Sequence, residues 1–101
     1  MITLGEKFKI VVSRWKDLRK FKMNVECIYV SEQVVRFKIS AGSKEMFMEK
    51  ILIKKTHPWK ITKMNFKFEG DDESIAMSIM NIQNEIEYYL NPPTARNWNK
   101  P

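Results

Sequence analysis

The chain has 101 residues, 44% of them hydrophobic, a formal charge of +6 and a single cysteine. That length fits one domain able to bury a modest core, and one cysteine excludes an intramolecular disulfide and any CxxC metal knuckle. The N-terminus lacks the apolar run of a secretion signal and no window approaches the ~18 apolar residues of a membrane span, so a cytoplasmic protein without membrane contact is expected.

The charge is unevenly placed. Residues 1–69 hold 16 Lys and Arg against 7 Asp and Glu, residues 70–91 hold none against 5, and residues 92–101 hold 2 against none. A basic body thus precedes an acidic segment, a layout that would orient the molecule in the field of a polyanion. Solvation and attraction between the two parts explain it equally well.

Along the chain, Glu6 to Val12 alternates Phe8, Ile10 and Val12 with Lys7, Lys9 and Val11, the period-two pattern of a half-buried strand. Ser13 to Lys22 is densely basic and fits a loop, a helical turn or a long basic hairpin. Met23 to Val30 predicts a second strand with Met23, Val25, Cys27 and Tyr29 on one face, Cys27 serving as a small core residue. After a turn at Ser31 to Gln33, Val34 to Ser40 predicts a third, with Val35, Phe37 and Ile39 inward and Arg36 and Lys38 outward.

Ala41, Gly42 and Ser43 supply turn chemistry. From Glu45 to Lys55 the alternation is poorer; Phe47, Ile51 and Ile53 are placed inward, which leaves Met46, Met48 and Leu52 on the other face. His57 and Pro58 break the run. A fifth strand, Trp59 to Phe68, is expected to turn Thr62, Met64, Phe66 and Phe68 one way and Trp59, Ile61, Lys63 and Lys67 the other.

Asp71 to Leu90 carries the clearest signal. Ile75, Ile79, Ile82, Ile86 and Leu90 form one stripe of a 3.6-residue wheel, joined by Tyr89, while Asp71 to Ser74 provide capping oxygens and Asn91, Pro92 and Pro93 stop the helix. The fold expected is therefore α+β: a curved antiparallel meander of about five strands, covered on one face by a single C-terminal amphipathic helix. Residues 1–91 form one domain and 92–101 a mobile tail.

Catalytic signals are poor. His57 is the sole histidine and sits before Pro58 with no nucleophile motif near it, so no enzyme, cofactor or metal site is expected. Nucleic acid is the better fit. Cations for phosphate are available from Lys7, Lys9, Arg14, Lys16, Arg19, Lys20, Lys22, Arg36, Lys38, Lys63 and Lys67, with Trp15, Phe21 and Trp59 as stacking surfaces for unpaired bases. The order of strands followed by a C-terminal helix resembles the ββββα unit of Whirly- and PUR-type single-strand binders and a shortened pleckstrin-homology-like barrel. That likeness is one of architecture and brings no site residue with it.

A second class of function is a protein adaptor or inhibitor, of viral or mobile-element type, with an acidic protein partner. Met77, Met80 and Tyr88 form an outer helix stripe where solvent alone would favour charge. Together with Met46, Met48 and Leu52 they leave two apolar patches uncovered, and a twofold homodimer is expected to hide one of them.

Overall fold

The computed structural model describes residues 2–13 and 19–92. Five strands, β1 (Lys7–Ser13), β2 (Lys20–Val30), β3 (Val34–Ala41), β4 (Lys44–Ile51) and β5 (Trp59–Met64), precede α1 (Asp72–Leu90). They form one antiparallel sheet in chain order, the expected meander. The basic stretch after β1 is in part strand, since Ser13 pairs with Lys20 and Val11 with Lys22. Arg14, Trp15 and Lys16 lie outside the described residues, as does the tail from residue 93.

α1 begins and ends on the signals in its sequence. The Asp71 carboxylate accepts the Ser74 amide at 2.8 Å, and the Asn91 amide closes the last turn on the Glu87 carbonyl at 2.8 Å. Asp72 and Glu73 sit in the first turn, where negative charge complements the helix dipole. Ile82 and Ile86 are fully buried and Ile79 and Leu90 pack at the edge of the same core.

The sheet wraps around this helix. On one flank Asn81 donates to the Ser13 carbonyl at the end of β1, and Tyr89 stacks on Phe8 near its start, with ring centroids 3.6 Å apart and planes 2° from parallel. The helix therefore runs back along β1. On the other flank Glu87 takes the Lys50 ammonium of β4 and the Trp59 indole of β5. Between the flanks lie Val25, Cys27, Phe37, Ile39, Met46 and Met48, all essentially inaccessible. Burial pushes the Cys27 thiol up, so it stays protonated as a core residue.

Three expectations about faces are corrected. In β4 the inward residues are Met46 and Met48, at 1% and 0% exposure, while Phe47 turns outward. The cause is the loop before it. Gly42, with φ 62°, and Ser43 form a two-residue connection in which Ala41 faces Lys44, so Ile39 must face Met46 and Phe37 must face Met48. Paired residues share a face, and inward Ile39 and Phe37 carry the methionines in with them. Neither methionine is available as an interface residue.

In β2 the pairing with β3 shifts between Cys27 and Tyr29. That irregularity turns Tyr29 out, 43% exposed, and brings Val30 to the core instead. In β5 a shift opposite Phe47 and Met48 leaves Thr62 without a partner of its own, and its hydroxyl donates to the Phe47 carbonyl. Trp59 and Ile61 consequently face inward together with Met64.

Candidate nucleic-acid interface

With α1 on the inner face, the outer face of the sheet is left uncovered among the described residues, and the register determines what stands on it. One row reads Lys7, Glu26, Lys38, Phe47, Lys63 across all five strands. To one side run Lys9, Asn24, Ser40 and Glu45; to the other, Tyr29, Arg36, Glu49 and Lys60. Lys20 and Lys22 extend the face on β2 beside Ser13 and Val11.

The eight cations are countered by three carboxylates. Arg36 meets Glu49 at 3.2 Å and Lys38 meets Glu45 at 3.0 Å, both pairs partly exposed. The Arg36 guanidinium also lies over the Tyr29 ring, 4.9 Å from its centroid. These contacts orient Arg36 and Lys38 while leaving a net positive field. A shallow hollow of about 400 Å³ is lined by Lys7, Lys9, Lys38, Asn24 and Ser40, with Glu26 beside them. Ammonium, amide and hydroxyl donors around one depression suit a phosphate oxygen.

Of the residues singled out from sequence, Lys7, Lys9, Lys20, Lys22, Arg36, Lys38 and Lys63 come together here. Arg19 is exposed at the entry to β2, and Arg14, Trp15 and Lys16 fall outside the described residues. The expected stacking residues do not join them. Trp59 is on the inner face, 5.8 Å from the Phe37 ring, with its indole N–H committed to Glu87 at 3.2 Å. Phe21 pairs with inward Val12, and Lys67 lies past the end of β5; both line a groove under the helix instead.

Two residues on the outer face escaped the sequence reading, Phe47 and Lys60. Phe47 is half-buried between Lys38 and Lys63 and is, with Tyr29, one of the two aromatics of this surface among the described residues. The signal that would have found it is the two-residue loop at Gly42 and Ser43, which fixes the register of β4.

Among the described residues, no group of three or more His, Cys, Asp or Glu side chains is arranged to hold a metal ion, and no helix is long and apolar enough to cross a membrane. His57 is exposed in the loop before β5, with φ 50°. No protein-family model, curated protein or solved structure matches the chain. The architectural likeness to Whirly- and PUR-type proteins therefore carries no functional argument, and function must be argued from the face itself.

Proposed function

We propose that this chain is a non-enzymatic module that holds single-stranded nucleic acid against the open face of its sheet. The observation that supports it is the outer face: Lys7, Lys9, Lys20, Lys22, Arg36, Lys38, Lys60 and Lys63 against Glu26, Glu45 and Glu49, on the side away from the acidic helix. Phosphates would be drawn to this side and repelled from the other. Phe47, flanked by Lys38 and Lys63, offers a ring on which a base can rest, a contact typically worth about 1–3 kcal/mol per base.

A single strand suits the site better than a duplex. A major groove is usually read by a helix or a two-stranded ribbon, and α1 carries Asp72, Glu73, Glu85 and Glu87 with no Lys or Arg. The test is an electrophoretic shift with a short single-stranded oligonucleotide at low salt. Binding is expected for the natural chain and strong weakening for the combined Lys7→Ala, Lys38→Ala, Lys63→Ala variant; absence of binding at low salt removes the proposal.

One observation favours a second reading, a protein partner. Met80 and Tyr88 are 50% and 56% exposed on the outer side of α1, where charge would be the ordinary surface choice. Self-association through this stripe is one of the two homodimers anticipated from sequence; the other, through a sheet patch of Met46, Met48 and Leu52, loses its two buried methionines. Light scattering at high micromolar concentration tests it: a doubled mass abolished by Met80→Lys supports the dimer, and a monomer mass for the natural chain ends it.

A further inference from the structure

The inner face of the sheet is longer than the helix covers. Beneath the first half of α1 a groove of about 390 Å³ stays open, within the range of roughly 300–1,000 Å³ usual for small-ligand sites. The core closes it from below: Ile39, Met46 and Ile82 border it and are at most 2% exposed. Phe21, Phe66 and Phe68 contribute aromatic surface, the last two packed edge to face at 5.1 Å. Such a lining favours an apolar body, because water held against it has few partners.

Cations outnumber acids in the polar part of the described lining. Lys44 and Lys67 are exposed residues of the groove, against Glu69 as the acid among its described residues, and Lys22 borders it from the outer face. Lys44 stands with its ammonium 5.7 Å from the centroid of the Phe66 ring, so cation and apolar wall adjoin. Neither Lys44 nor Lys67 is taken up by Glu45 or Glu49, which are met by Lys38 and Arg36.

From this pairing of an aromatic wall with two lysines at the rim we infer that the groove binds a small amphiphilic anion, an unbranched acyl chain ending in a carboxylate. The chain would lie along Phe21, Phe66 and Phe68 with its head group at Lys44 and Lys67. The site opens on the opposite side of the sheet from the proposed nucleic-acid face and meets it only at Lys22.

Titration calorimetry with dodecanoate below its micelle-forming concentration, beside dodecanol and the shorter octanoate and decanoate, tests the inference. Affinity is expected to rise roughly fourfold per added methylene until the groove is filled. Dodecanoate should exceed dodecanol, and the Lys44→Gln, Lys67→Gln double variant should lose about tenfold for the carboxylate while leaving the alcohol unchanged. Both lysines are exposed, so this variant is expected to fold, and amide NMR of the complex should show the largest shifts at Ala41, Ser78 and Ile82. No dodecanoate binding, equal affinity for acid and alcohol, or shifts gathered elsewhere would each overturn it. So would light scattering that finds the groove occupied by a second copy, as a doubled mass abolished by Ser78→Trp.

Discussion

The indole nitrogen of Trp59 donates to Oε1 of Glu87 at 3.2 Å, and the same carboxylate oxygen lies 2.5 Å from the Lys50 ammonium. Lys50 pairs with core residue Val35 and its side chain is only 16% exposed, so its charge depends on Glu87 for a partner. One carboxylate thus fastens α1 to both β4 and β5. Glu87→Ala strands an ammonium and an indole N–H together and is expected to destabilise the fold by about 1–3 kcal/mol. The comparable change at the exposed Arg36 pair, Glu49→Ala, is expected to cost no more than about 1 kcal/mol. Urea denaturation of both variants, with equal slopes, checks the ordering.

The clasp at the other flank depends on pH. Tyr89 stacks on Phe8 and gives its hydroxyl to Glu6, which holds the Glu6 carboxyl below its usual range and the Tyr89 phenol above its own; the Thr3 amide also lowers Glu6. A depressed carboxyl stabilises above its unfolded pKa and loses that contribution as pH falls through the folded value. A raised phenol stabilises below its unfolded pKa and loses the contribution as pH climbs through the folded value. The Tm advantage of the natural chain over Tyr89→Phe, which keeps the ring, should therefore be level through neutral pH and shrink in acid and in strong alkali. A difference that stays constant into acid contradicts the clasp.

Met48 and Leu52 separate core from surface in the segment where the pattern was hardest to read. Met48 is inaccessible and Leu52 is 43% exposed. Met48→Ala is expected to cost about 2–5 kcal/mol by leaving a cavity beneath α1. Leu52→Ala is expected to stay within about 0.5 kcal/mol. Thermal denaturation of the pair measures it, and a larger loss at Leu52 would restore the inverted face.

Gly42 controls that face. With φ 62° and no atom within 4 Å of where a Cβ would stand, its replacement meets no clash and costs only backbone strain. Gly42→Val is expected to lose about 1–2 kcal/mol, with Gly42→Asn losing less because asparagine tolerates the left-handed region. Equal stability of the glycine and valine forms would show that the turn has another geometry.

How much could be read beforehand follows from these same residues. The strands β1 and β3 alternate cleanly and the helix is capped and striped as its pattern requires from Ile79 to Leu90, with Tyr89 left 41% exposed. β4 departs from its pattern, because hydrophobicity alone makes Phe47 and Ile51 look more interior than two methionines; the pairing forced by a two-residue loop outweighs that preference. The irregularities at Ile28 and Thr62 each change the parity of a strand, and nothing in their side chains announces it. For the candidate site, the lysines of β1 and β3 were legible for the same reason that their strands were. Trp59 was not, since its face depends on the shift beside Thr62 and its partner Glu87 is 28 residues away.

The central claim, that single strands bind on the outer face, is tested most directly by the salt dependence of affinity. Fluorescence anisotropy with a short single-stranded oligonucleotide over a range of salt should give a linear fall of log affinity with log salt, with a slope of about −0.7 for each phosphate neutralised. Removing Lys7, Lys9 or Lys63 singly should flatten that slope by about 0.7 each, and the groove residue Lys44 should leave it unchanged. A slope insensitive to the outer-face lysines, or no binding in the lowest salt, would contradict the assignment.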